Sequence, residues 1–283
     1  MSPRAVFRGL WREKRARLGL IILLLELAAV VVLPFFLLWG PNSVDTVSGF
    51  WAPPSSAHWL GTDDVGRDLL ARLLAGGRTS LAVGVSSAAI SIILGAPLGV
   101  LAGYGRGRWE FWIMRLADVF QCFPSLVVTL CLVTLWGPST LHVLLIIGIM
   151  GWPVIARMTY SETVSIRKRP YLAAARLSGA TAGQLLLEEV LPDAMAPVWA
   201  ALAFRVGRGI LSESTLSFLG VGIRTPQASW GNLIHYASQL SVLVGRPWVW
   251  LPPGICILVT VLSVNLVGEG LQRVFRPGGE DGV

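Results

Sequence analysis

The densest set of reactive side chains is the string His58-Trp59-Leu60-Gly61-Thr62-Asp63-Asp64-Val65-Gly66-Arg67-Asp68. Three aspartates and an arginine this close suit either a cation site or a turn cross-linked by hydrogen bonds. Gly61 and Gly66 fit tight backbone geometry. The D-x-[DN]-x-[DN]-G spacing of a calcium loop is absent, so a structured loop is expected. A second set, Arg205, Arg208 and Glu213, with Glu26 and Asp118, lies within or at the ends of long apolar runs. Arg205 and Arg208 are three apart and share a helix face. Glu213 lies about 7.5 Å of helical rise beyond Arg208. Charges inside a bilayer cost several kcal/mol unless they pair or face water, which leaves structural pairing and pathway lining as alternatives. Cys122, Cys131 and Cys256 stand in apolar runs without C-x-x-C spacing and are expected to be small buried hydrophobes. His58, His142 and His235 are scattered, with no Ser/His/Asp set. No G-x-x-x-x-G-K-[ST] occurs, so the chain has no phosphate cradle of its own. No catalytic, cofactor-binding or metal-binding residue is therefore expected.

The elements that hold these residues follow from composition. Of 283 residues, 54% are apolar and only 14% charged, and the mean hydropathy is +0.66. Soluble domains carry roughly 25% charged residues. A typical soluble enzyme and a disordered chain are excluded, and the composition argues against a nucleic-acid binder despite a net charge of +7. A membrane span needs roughly 20 apolar residues. Six stretches qualify, at about Leu18–Trp39, Leu81–Gly103, Leu116–Trp136, Thr140–Ala156, Ala194–Leu219 and Trp250–Gly268. Period-2 alternation is lacking, so an all-α membrane protein is expected rather than a barrel. The first span is too long for a signal peptide's apolar core and lacks a small-x-small site after it, which predicts an uncleaved anchor helix.

Basic residues predict the orientation. Sixteen fall in the N-terminal segment, the loops after spans two and four, and the tail, against five in the other loops. Both termini are therefore expected in the cytoplasm, with the basic side meeting anionic lipid. Trp39, Trp51, Trp59, Trp109, Trp112, Trp136, Trp248 and Trp250 fall near span ends, where interface anchoring is expected.

The stretch from Tyr160 to Pro192 is basic and rich in helix formers. Tyr171 to Ser178 reads as a helix ended by Gly179. A second piece, Gln184 to Val190, follows, and Leu191-Pro192 is expected to end it. Composition leaves two alternatives, a hairpin for a partner's groove or an amphipathic surface loop.

The order Ala173-Ala174-Ala175, three residues, Gly179, ten residues, Val190-Leu191-Pro192 resembles the coupling motif of ABC importer membrane subunits. Ala173 stands where that motif usually has glutamate. The string Leu60 to Asp68 resembles the segment before span two in C-type subunits of the peptide/nickel permease subfamily. Glu213 to Gly222 and Ser229-Trp230-Gly231 are similar to the same subfamily. The resemblance implies a type I ABC transporter transmembrane domain of five core helices at 78–270. It is preceded at 1–77 by a tail, an extra helix and an outer loop, and followed by a tail at 271–283. It implies ATPase coupling by Ala173, Ala174, Ala175, Gly179, Leu191 and Pro192. It also implies a homologous B-type permease, two ABC ATPases that use ATP and magnesium, and an extracytoplasmic binding protein, in a bacterial or archaeal inner membrane. Dipeptides or oligopeptides are the expected cargo, with nickel or a metal chelate the alternative. A secondary transporter working alone would need inverted repeats and midplane ligands, and no clear repeat is seen.

Overall fold

The computed structural model describes residues 3–105 and 107–275, without the side chains of residues 3–6, Ala173, Arg176 and Ala182. The regular elements among the described residues are all helical, with only two isolated β-bridges besides. Helix α1 spans Pro3–Arg12 and α2 Lys14–Val32, the latter running on as a 3-10 turn to Phe36. After a long loop come α3, Leu69–Gly105, α4, Arg108–Cys122, and α5, Ser125–Trp136. Then follow α6, Thr140–Met150, and α7, Trp152–Ile166, which form one apolar stretch of 27 residues. A short helical pair, α8 (Pro170–Leu177) and α9 (Ala182–Gln184), leads through a π turn into α10, Leu191–Phe218. A second long loop carries α11 (Trp230–His235) and α12 (Leu240–Gly245) before the final α13, Pro247–Phe275.

Four stretches are each long and apolar enough to cross a bilayer: Lys14–Phe36, Leu69–Gly105, Thr140–Ile166 and Pro247–Phe275. The pair α4 and α5 makes a fifth if counted as one span, and α10 matches the remaining expected segment. At 28 residues α10 is about 42 Å long. Its four charges, Asp193, Arg205, Arg208 and Glu213, make it the least apolar of the long helices.

Helix α3 is the axis of the bundle and packs on α7, α10, α6 and α4. Its glycines explain how closely. A Cβ on Gly95 would sit 2.5 Å from the Trp152 carbonyl oxygen, and one on Gly99 2.1 Å from that of Ala156. On Gly103 it would meet Thr163 at 2.7 Å. The four-residue spacing puts all three on one face, so α7 lies against bare backbone. Helix α2 packs on α13, where Glu26 accepts a hydrogen bond from the Thr260 hydroxyl at 2.9 Å. Its other face leaves Leu18, Leu24, Leu25 and Leu27 exposed, as a lipid-facing anchor requires.

Several expectations are corrected. The third span is not one straight helix. It bends by 85° at Phe123-Pro124, where Phe123 takes the extended conformation that a following proline imposes. Helix α3 begins at Leu69, twelve residues before the expected span at Leu81–Gly103, which lies within it. Leu191-Pro192 does not end the second helical piece. The chain stays helical through it, because the wider π turn at Leu185–Val190 accommodates a proline at the start of α10. Cys122 and Cys131 are exposed and Cys256 is half-buried, since an apolar face in a membrane needs no protein cover. Trp51 is not a simple interface anchor: it meets the Tyr236 ring edge-on and lies under the Arg246 guanidinium.

Candidate functional site: a looped end, a polar seam and a hairpin end

The outer-loop string folds into a buried ionic network. Asp68 caps α3 by accepting the Ala71 amide at 2.7 Å, and its other oxygen lies 2.8 Å from His58 Nδ1. His58 Nε2 is 3.1 Å from Asp45, and the ring is 1% exposed. Burial pulls the His58 pKa down, but the hydrogen bonds and charges of Asp68 and Asp45 outweigh it and leave the pKa raised. Asp45 is held down to about 2, chiefly by the Ser48 hydroxyl, then the Val47 amide and His58. Asp63 takes Arg67 Nε at 2.7 Å and lies 3.3 Å from Arg72 Nε. Asp64 accepts from the Tyr236 hydroxyl at 2.8 Å, which joins the two long loops. Burial and the neighbouring Asp63 and Asp64 push that phenol up. Every carboxylate here already has a cationic or hydrogen-bonding partner, and no metal-ligand cluster occurs among the described residues. Gly61 and Gly66 have φ of +76° and +86°, and a Cβ on Gly61 would lie 2.2 Å from the Ala52 carbonyl oxygen.

Glu213 and the strings around Ser217–Gly222 and Ser229–Gly231 form one seam. The Glu213 carboxylate is fully buried and accepts from Ser80 at 2.9 Å and Ser217 at 2.7 Å. Ser80 in turn accepts the Trp230 amide at 3.2 Å, and Ser217 accepts that of Ile223 at 3.1 Å. A Cβ on Gly231 would lie 2.6 Å from the Ser214 Cα, so α11 lies directly on α10. Ser229 starts α11 with a capping box to Asn232.

Arg205 and Arg208 do not reach Glu213. Both line a cavity of about 120 Å³ with Ser125, Thr129, Gly151, Gly209 and Ser212. Arg205 Nη2 donates to Ser91 at 3.0 Å, passing the break between α6 and α7 where a Cβ on Gly151 would lie 1.7 Å from Nη2. Neither arginine joins a salt bridge among the described residues. Asp118, by contrast, pairs with Arg115 at 3.1 Å and with Arg157.

At the opposite end α8 and α9 fold back as a hairpin. Gly179 has φ +90°, and the Ala180 amide returns to the Ala175 carbonyl at 3.2 Å, a glycine cap that ends α8. Thr181 and Gln184 exchange hydrogen bonds that open α9. Leu172, Leu185 and Val190 are buried against Val100 of α3 and Ile166 of α7. Ala174 and Gly179 are exposed, as is Leu177 at 90%. Leu191 and Pro192 sit at the root of α10, with Leu191 on that small core. The Ala173 side chain and residues 276–283 lie outside the described residues.

The π turn, the Pro124 bend and the serine partners of Glu213 escaped the sequence reading. Only the bend had a local signal, the Phe-Pro dipeptide.

These features define a multi-pass helical membrane protein with a structured loop end and a helical hairpin end. A model of the family described as binding-protein-dependent transport system inner membrane component matches residues 95–278, and the chain belongs to that family. It is an ABC importer permease of the inner membrane. A Brucella suis biovar 1 protein that bears the name peptide permease is 37% identical over 270 residues, 95% of this chain and 89% of that protein. The dipeptide transport system permease protein DppC of Alkalihalophilus pseudofirmus is 34% identical over 280 residues, 98% of this chain and 90% of its own. Among solved structures, an inward-facing form of the MetNI methionine ABC transporter matches the fold with TM-score 0.58 at 17% identity. The match covers 73% of this chain and 97% of that one.

Proposed function

We propose that this chain is one of two homologous permeases that together form the membrane pathway for dipeptides or oligopeptides, driven by two separate ATPases that use ATP and magnesium. The observation that carries the coupling role is the hairpin. It is a built lobe docked on α3, α7 and α10 through a small shared core, yet it leaves Ala174, Leu177 and Gly179 uncovered at its tip. Small side chains there allow close approach of a partner's groove, and an exposed leucine favours burial in it. An ATPase pair that binds this tip differently in its nucleotide states would bias outward- against inward-facing forms. The peptide cargo is supported by the names of the relatives at 34–37% identity.

The hairpin end and both termini face the cytoplasm in this reading, and the two joined loops face the binding protein outside. Reporter fusions at Ser48 and Gln239 should read extracytoplasmic and one at Ser165 cytoplasmic.

The test is reconstitution of the chain in proteoliposomes with a homologous permease, two ATPases and a binding protein from the same organism. ATP-dependent uptake of a radiolabelled dipeptide is expected. Uptake of nickel but not peptide would overturn the cargo, and ATP hydrolysis by this chain alone would overturn the division of labour.

A further inference from the structure

We propose that Arg205 and Arg208 form a carboxylate-binding subsite that holds the C-terminal carboxylate of a peptide as it crosses the membrane. The proposal rests on the peptide-pathway reading and adds a specific contact to it. Arg208 lies ten residues from the end of α10, about 15 Å of helix, and is nonetheless exposed in the isolated chain. An arginine at that depth cannot face lipid without a cost of several kcal/mol, so this face of α10 adjoins water or protein. Two guanidinium groups lie on one helix face, and among the described residues no carboxylate pairs with them. Glu213, the nearest acid along α10, is already engaged by Ser80 and Ser217.

The surroundings add donors rather than acceptor charges. Ser125 and Leu126, the first residues of α5, line the same cavity because the 85° bend at Pro124 turns the start of α5 into it. No side chain caps that start. Its first amides and the positive end of the helix dipole therefore add to the two arginines. Ser125 and Ser212 line the same cavity. Arg205 is held in place by Ser91 and by the absence of a side chain on Gly151. A fixed guanidinium, a second more exposed one and a helix start match a planar anion. They repel a divalent metal. The cavity, about 120 Å³, suits a carboxylate with its water and not a whole peptide, so it is a subsite on a longer path.

The experiment compares a dipeptide with its C-terminal amide in the reconstituted importer, at saturating loaded binding protein. Turnover of the free acid should exceed that of the amide in the natural chain. Arg208→Gln should lower acid turnover by about tenfold or more and bring the acid-to-amide ratio towards one, the scale of one charge-assisted hydrogen bond. Arg208→Lys should keep most of the ratio. The ratio is taken within one preparation, so partial misfolding does not change it. A ratio unchanged in Arg208→Gln would overturn the proposal. So would an anionic phospholipid that co-purifies with the natural chain and is lost in that variant, which would make a lipid headgroup the occupant. If the natural complex carries no peptide, the parent reading fails. The subsite is then judged on the cargo it does carry: an anion supports it and a cation overturns it.

Discussion

Ser80 and Glu213, 133 positions apart in the chain, meet at 2.9 Å in a site with no solvent exposure. The serine oxygen also accepts the Trp230 amide, so one short bridge ties α3, α10 and the second loop. Replacing Glu213 by leucine removes the acceptor for Ser80 and Ser217 and leaves both buried hydroxyl protons without the carboxylate, although their oxygens still accept the Trp230 and Ile223 amides. A loss of about 2–4 kcal/mol is expected. Glu213→Gln keeps an acceptor oxygen in place and should recover much of it. Thermal unfolding in detergent reads the difference. An unchanged midpoint in Glu213→Leu would show that the seam does not hold the bundle together.

The joined loops carry a pH dependence whose sign follows from His58 and Asp45. The raised His58 pKa means that its contribution is fully present below 6.5, its ordinary value, and is lost as pH rises through the raised value. Asp45, lowered from 3.8 to about 2, contributes above 3.8 and loses that contribution as pH falls towards 2. The loop should therefore be tightest between those limits. Amide exchange across residues 40–68, corrected for intrinsic rates, should show more protection at about pH 5.5 than at about pH 9. His58→Gln should flatten that difference. Equal protection at both values in the natural chain would refute the clamp.

Close approach of α3 and α7 gives a steric prediction. A side chain on Gly99 would begin 2.1 Å from the Ala156 carbonyl oxygen and 2.0 Å from Thr159 Oγ1. Backbone cannot yield there cheaply, so Gly99→Val should cost about 1–3 kcal/mol or prevent assembly of the bundle. Gly254→Ala on α13, where nothing lies within 4 Å of the new Cβ, is the matched control and should be neutral or slightly stabilising. Equal stability of the two variants would mean that the helices separate more easily than their glycines suggest.

The parts of the fold legible in the sequence are those set by local rules. Apolar run length located the spans, and Gly179 located the end of α8, because a left-handed cap is a one-residue requirement. Gly61 and Gly66 announced a tight loop for the same reason. What stayed hidden depends on partners distant in the chain. His58 finds Asp45 and Asp68 ten or more residues away, and Glu213 finds Ser80 only because α3 and α10 cross. Arg205, Arg208 and Glu213, three of the four charges of α10, read as one set by spacing. Rotation about the helix axis separates them into a satisfied carboxylate and two unneutralised arginines, which sequence spacing alone does not resolve.

The hairpin tip separates folding from coupling. A Cβ on Gly179 would meet nothing within 4 Å, so the cost of Gly179→Val is the strain of φ +90° in a β-branched residue, about 1–2 kcal/mol, and not a clash. Ala174 is exposed, so a tryptophan there meets only solvent in the isolated chain. Neither change touches the core of Leu172, Leu185 and Val190 that docks the hairpin on α3 and α7. Both variants should therefore insert in the membrane and unfold near the natural midpoint. If the tip enters a groove on the ATPases, Ala174→Trp should hold the two surfaces apart and abolish co-purification of the ATPases. Gly179→Val should shift the tip and reduce ATP hydrolysis stimulated by loaded binding protein. Normal assembly and normal stimulation in both variants, with unfolding unchanged, would make the hairpin a surface lobe and remove it from the path between ATP and transport.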